Sequence, residues 1–126
     1  MTHGYTFDAG ALIGIERNDR TMHDIVGRAR ERGVGIMIPA GVLGQVWRDG
    51  SRQARLAALL SRHNVVVEPL DELRARAAGR LCGARGTSDV IDASVVLCAR
   101  LHKHRVVTSD PVDLRRLDPT LVLIVV

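Results

Sequence analysis

Five short, largely apolar runs, separated by segments of helical character, constrain this chain most. They are residues 4–7 (GYTF), 34–38 (VGIMI), 65–67 (VVV), 105–107 (RVV) and 121–126 (LVLIVV). A strand that is apolar at successive positions has no polar face to show to water, so it must be covered on both sides. The segments between them supply the covering. Residues 10–17 are apolar and helical in character. Residues 21–32 carry Met22, Ile25, Val26 and Ala29 at helical spacing and stop at Gly33. A helix is expected from Pro39 through Trp47, another over 52–62, and another over 70–82. One more is expected over 88–101, with Thr87 or Ser88 as its N-cap, and a short one opens at Pro111. Strands alternating with helices predict an α/β fold: a three-layer α/β/α sandwich around a parallel sheet of about five strands. In such folds the site lies outside the carboxyl ends of the strands.

At 126 residues the chain is expected to form one domain, 1–126, with 46% apolar residues to fill its core. Tyr5, Phe7 and Trp47 are its only aromatics. The core must be aliphatic, and the stacked-ring platforms of single-strand binders are nearly absent. Trp47 is expected to anchor a core or an interface. The net charge is +4, and Lys103 is the only lysine beside 17 arginines, which suits phosphate recognition as well as it suits a compositional bias. Cys82 and Cys98 form no CxxC pair, and no His–Cys cluster has zinc spacing in the sequence. The N-terminus lacks the pattern of a signal peptide, and no apolar run approaches the ~20 residues of a membrane span. These features together predict a cytoplasmic location with reduced thiols and no membrane partner.

Asp8 falls at the carboxyl end of the first predicted strand and Asp110 at the end of the fourth. Asp89 and Asp92 stand at the start of the 88–101 helix, and Asp113 follows Asp110 by three. In a parallel sheet all five gather at one edge. Carboxylates held together repel one another and stay ionised only with a cation among them. Their hard oxygens suit Mg2+ or Mn2+. Each acid taken singly also fits helix capping or a solvated helix position. Asp92 fits it least, because its neighbours Val90, Ile91, Ala93, Val95 and Val96 are apolar.

The segments YTFDAGALIGIE, TSDVIDASVVLCAR and VVTSDPVDL, in this order, resemble the opening, the third-acid helix and the closing strand of a PIN domain. The resemblance covers essentially the whole chain, and its length resembles VapC-type toxins of bacterial toxin–antitoxin pairs. It implies a five-stranded parallel sheet between helices and an Mg2+-dependent endoribonuclease, with Mn2+ expected to substitute. It implies catalytic roles for Asp8, Asp92 and Asp110, and metal binding by these three with Asp89 and Asp113. It also implies an RNA substrate, a VapB-like antitoxin and a homodimer. In PAGVLGQVWRDG, Gln45 stands where the family usually has Glu. A Gln can coordinate through its carbonyl but brings no charge, so the alternative is a non-catalytic PIN-like module that binds RNA or a protein partner. A receiver-like phosphoacceptor domain is disfavoured, because Lys103 precedes a strand instead of following one.

Arg52, Arg55 and Arg62 span an arc of about 80° on the expected 52–62 helix, and the segment 50–67 contains no acid. They are candidate RNA contacts, or simply a solvated face. The apolar surfaces at 10–15 and 54–60 are candidate grooves for a partner helix. The five His residues are expected at the surface.

Overall fold

The apolar runs become strands and the segments between them become helices, in the expected order. A computed structural model describes residues 3–126; residues 1 and 2 of the expected 1–126 domain lie outside that range. Among the described residues the chain runs β1 (Tyr5–Phe7), α1 (Ala9–Glu16), α2 (Arg20–Arg32), β2 (Ile36–Pro39), α3 (Ala40–Val46), α4 (Ala54–Leu60), β3 (Val65–Glu68), α5 (Glu72–Arg85), α6 (Val90–His102), β4 (Arg105–Thr108), α7 (Pro111–Leu117) and β5 (Leu123–Val125). The strands form one sheet in the order β3-β2-β1-β4-β5, and every neighbouring pair is parallel.

Parallel neighbours need crossover connections, which are right-handed in nearly every protein. The chain steps outward from β1 to β2 to β3, then passes back across the sheet to β4 and β5. That path puts α1–α4 on one face and α5–α7 on the other. Accordingly α6 packs on β1, β2 and β4, with α5 and α7 against it, while α1 packs on β1 and β4 and α4 packs on β3. The strand order reverses between β1 and β4. In open parallel sheets a crevice forms outside the strand ends at such a reversal.

The core is aliphatic apart from Tyr5 and Phe7: Leu12, Met22, Ile36, Ile38, Leu56, Val95, Val96, Val106 and Val107 are fully buried. Each such side chain contributes about 1.5–3 kcal/mol relative to leaving it in water. The spacing argument holds for α2, whose Met22, Ile25, Val26 and Ala29 are all buried. That helix ends on Gly33, whose left-handed φ of 65° turns its N–H back to the Ala29 and Arg30 carbonyls.

Several expectations need correction. The last strand is an edge strand, Leu123–Val125, and is only half buried; Val122 and Val125 are exposed. β3 is the other edge, so Val66 and Val67 are exposed too. Apolar runs alone do not tell a central strand from an edge. The 52–62 helix shortens to Ala54–Leu60, because the 48–53 segment folds into a turn around Gln53. The Gln53 side chain accepts the Arg48 and Asp49 N–H groups and donates to the Val46 carbonyl and to Glu16. Trp47 sits at the end of α3 over Gly50, partly exposed, and does not enter the core. Two of the His residues are not surface residues. His102 bonds to Glu68 (3.0 Å) and His104 to Thr6 (3.1 Å), both partly buried.

Candidate active site

The crevice at the sheet reversal is built from the ends of β1 and β4. Phe7 pairs with Val107, and the Asp8 N–H continues the ladder by donating to the Val107 carbonyl at 3.2 Å. Asp8 then leaves the strand as the N-cap of α1, its Oδ1 accepting the Ala11 N–H at 3.1 Å. Thr108, fully buried at the end of β4, hydrogen-bonds the Asp8 carboxylate. The same hydroxyl oxygen accepts the Asp110 N–H at 2.8 Å. One hydroxyl thus ties together the two strand ends that carry acids. Thr108 is the residue that sequence reasoning missed. Its signal was its place in VVTSD, at the last inward position of a buried strand.

Asp8 is 7% exposed. Burial pushes its carboxyl above the usual range; hydrogen bonds from Thr108 and from the Ala11 and Gly10 backbone oppose this, and the nearby Asp110 adds to it. Asp92 is pushed up to about 6, first by burial and then by Asp89, Asp113, Asp8 and Asp110. Asp113 is raised by a hydrogen bond and by repulsion from Asp110, with Arg116 as the opposing charge. The five aspartates foreseen from the sequence therefore sense one another electrostatically. Arg116 opposes the rise at Asp113.

Two of the acids also do the bland work that their positions allowed. Asp8 caps α1, and Asp89, not Thr87 or Ser88, caps α6, with Oδ1 accepting the Asp92 N–H at 2.9 Å. The capping bond fixes Asp89 directly over the first turn that holds Asp92. Asp110 precedes α7 without a side-chain cap bond, so its carboxylate is free of backbone duty.

Gln45 is exposed on α3. It lies one turn beyond Gly41, which abuts the Ile91 side chain next to Asp92, so both occupy the same helix face. The arginines are arranged differently from the expected stripe. Only Arg55 lies within α4; Arg52 sits in the preceding turn, and Arg62 lies beyond the C-cap Ser61. Arg55 and Arg62 line a groove of about 220 Å³ between α1, α2 and α4, together with Ile15, Val26 and Leu59.

Five carboxylates, of which Asp8, Asp92 and Asp113 are pushed above the usual range, come from the ends of two strands and the starts of helices and form a hard-oxygen donor set. Such a set suits a divalent cation of the Mg2+ class. Among the described residues, the one trio of His, Cys, Asp or Glu ligand atoms lying within 4.8 Å of one another is that of Glu68, Cys98 and His102.

A family model described as "PIN domain" matches residues 5–118. No curated protein sequence matches the chain. Among solved structures, the chain is similar to VapBC2 from Rickettsia felis, determined bound to a DNA fragment from its promoter. The TM-score is 0.73 at 15% identity, with 99% of each chain covered. It is also similar to FitAcB from Neisseria gonorrhoeae, with a TM-score of 0.56, 14% identity, and 94% of this chain and 95% of that one covered. At these identities the likeness is one of fold. No helix among the described residues is long and apolar enough to cross a membrane.

Proposed function

The chain belongs to the PIN domain family, and we infer from this that it is a metal-dependent endoribonuclease of the VapC toxin type. The observation that carries the reading is the gathering of five aspartates at the sheet reversal, where Asp8, Asp92 and Asp113 are each raised by burial or by neighbouring carboxylates that include Asp89 and Asp110. Asp8, Asp92 and Asp110 would be the catalytic acids and, with Asp89 and Asp113, would hold Mg2+ or Mn2+. When bound, the cation would supply charge stabilisation at the phosphate and a lowered pKa for water.

The chain's own groups do the rest. Thr108 and the Ala11 N–H hold the Asp8 carboxylate in one orientation. The capping bond of Asp89 holds the first turn of α6 and with it Asp92. Asp92 is pushed up to about 6 without a cation, so binding one there would favour its ionised form and release its proton. Arg116 and the highly exposed Arg52 supply positive charge for RNA phosphates flanking the scissile one. Gln45 adds an uncharged oxygen from α3.

The solved structures of similar fold are named as complexes, VapBC2 and FitAcB. By analogy the chain is proposed to be held by a VapB-like antitoxin and to form a homodimer, in the cytoplasm. The groove between α1, α2 and α4, rimmed by Arg55 and Arg62, fits an antitoxin helix with an apolar face and acidic flanks.

The test is a thermal-shift titration with Mn2+, followed by cleavage of a mixed RNA pool with and without the metal. Stabilisation and metal-dependent cleavage in the wild type, both lost in Asp92→Asn, are expected. RNA binding that needs no metal and leads to no cleavage would replace this reading with the non-catalytic module.

A further inference from the structure

We propose that Glu68, Cys98 and His102 form a second metal site, of the borderline-soft Zn2+ class and separate from the aspartates. The three come from two elements. Glu68 ends β3, while Cys98 and His102 lie four apart on α6 and so share one helix face. Their ligand atoms all lie within 4.8 Å of one another. Glu68 Oε1 is 3.0 Å from His102 Nε2, close to the ~3.3 Å that separates N and O ligands on a tetrahedral ion with bonds of about 2.0 Å. One thiolate, one imidazole and one carboxylate is a donor set that selects Zn2+ over Mg2+.

Burial makes this trio unlike a surface ion pair. Glu68 and Cys98 are buried, at 6% and 2% exposure, and His102 is partly buried. A cavity of about 270 Å³ opens beside Glu68 and Cys98, walled by Pro39, Leu97 and Leu101. It leaves a fourth coordination position open to a water or a small ligand, the arrangement of zinc sites that are not purely structural. Outer contacts are in place as well. The Thr6 hydroxyl lies 3.7 Å from Cys98 Sγ, and Arg74 Nε lies 3.5 Å from Glu68 Oε1. Arg74 is also bonded to Asp71 at 2.9 Å, which offsets its charge beside an incoming cation. On binding, the thiol proton of Cys98 leaves to solvent and sulfur bonds to the metal, so no oxidant or reductant is needed. Spacing in the sequence hides the site, because Glu68 lies 30 residues before Cys98. Along α6 it is about 15 Å from Asp92 to His102, so the two centres are independent.

The test uses Co2+ as a spectroscopic stand-in for Zn2+, added to the full chain in a thiol-free reductant. One equivalent is expected to give an intense near-ultraviolet sulfur-to-metal absorption with visible tetrahedral bands, and one equivalent of Zn2+ should bleach both. Cys98→Ser should abolish the near-ultraviolet band, while Cys82→Ser should keep it. His102→Gln, at a partly exposed position that tolerates change, should weaken Co2+ binding at least tenfold. Absence of the sulfur band in the wild type, its persistence in Cys98→Ser, or unchanged binding in His102→Gln would overturn the proposal. Carboxylate-bound Co2+ gives no sulfur band, so a failure of the aspartate reading leaves this result interpretable. Asp92→Asn should leave the band intact.

Discussion

A methyl group placed on Gly10 would sit 1.9 Å from Ser109 Oγ and 2.8 Å from Ser109 Cβ. The first turn of α1 and the loop after β4 are in contact at this point, with no room for a side chain between them. Asp8 lies two residues before one partner, and Asp110 directly follows the other. Gly10→Ala is therefore expected to destabilise the fold by about 1–3 kcal/mol, as overpacking does, and to spread the two acids apart. Chemical denaturation measures the first effect and a weakened Mn2+ thermal shift the second. Wild-type values for both would show that the loop yields without consequence.

Asp92→Asn should make the metal-free protein more stable. The carboxyl is raised from 3.8 to about 6 in the fold, so the folded state holds its proton more tightly than the unfolded chain does. Stability therefore falls as pH rises from about 4 to 6, and the deficit persists above 6. Removing the charge should recover about 1–2 kcal/mol at pH 7, once solvent screening at this half-buried site is allowed for. The melting temperature without metal should rise while the gain from Mn2+ disappears. A variant that melts lower than wild type without metal would contradict the burial argument.

Asp8→Asn should fold and cap as well as wild type, because an amide oxygen can still accept the Ala11 N–H. Cleavage should fall by about 10²-fold or more, reflecting several kcal/mol of charge stabilisation. Asp8→Ala should also lose about 1 kcal/mol of stability with the cap. Circular dichroism and an RNA cleavage assay separate the two effects. Full cleavage by Asp8→Asn would remove Asp8 from the chemistry.

The five aspartate placements follow from strand ends and helix starts that can be located in the sequence. Apolar runs fix where strands stop, and a parallel sheet sends all their carboxyl ends to one edge. What could not be read was any contact depending on two distant segments. Thr108 is an ordinary threonine until β1 lies beside β4. Glu68 and His102 are scattered polar residues until α6 crosses the sheet. Arg52, Arg55 and Arg62 do not share one helix for a local reason, since Gln53 captures the backbone of 48–49 and α4 starts two residues later than its propensity suggests. Edge strands were mistaken for buried ones because valine is equally abundant in both.

Gln45→Glu tests whether α3 belongs to the site. Gln45 is exposed, so stability should change by less than about 0.5 kcal/mol. A carboxylate at this position should tighten Mn2+ binding about three- to tenfold, since charge count tunes such sites. Calorimetric titration reads this directly. Unchanged affinity would place the side chain outside the metal's reach.

The acid limb of stability should depend on His104. Burial, aided by repulsion from His102 and His3, holds this imidazole down at about 4. The unfolded chain binds that proton near 6.5, so stability present above 6.5 is lost as pH falls from there towards 4. The loss should be about 1–2 kcal/mol after screening. His104→Gln, which can still bond to Thr6, should flatten the curve over that interval. An unaltered slope would assign the acid sensitivity elsewhere.

Asp8 and Asp89 each terminate a helix with the same carboxylate that contributes charge to the crevice. Asparagine performs the first duty as well as aspartate and cannot perform the second. The codons of the two amino acids differ by one base, so a single mutation at either position would remove the charge and leave the helix capped. The same backbone geometry would therefore outlast the loss of the charge that the crevice depends on.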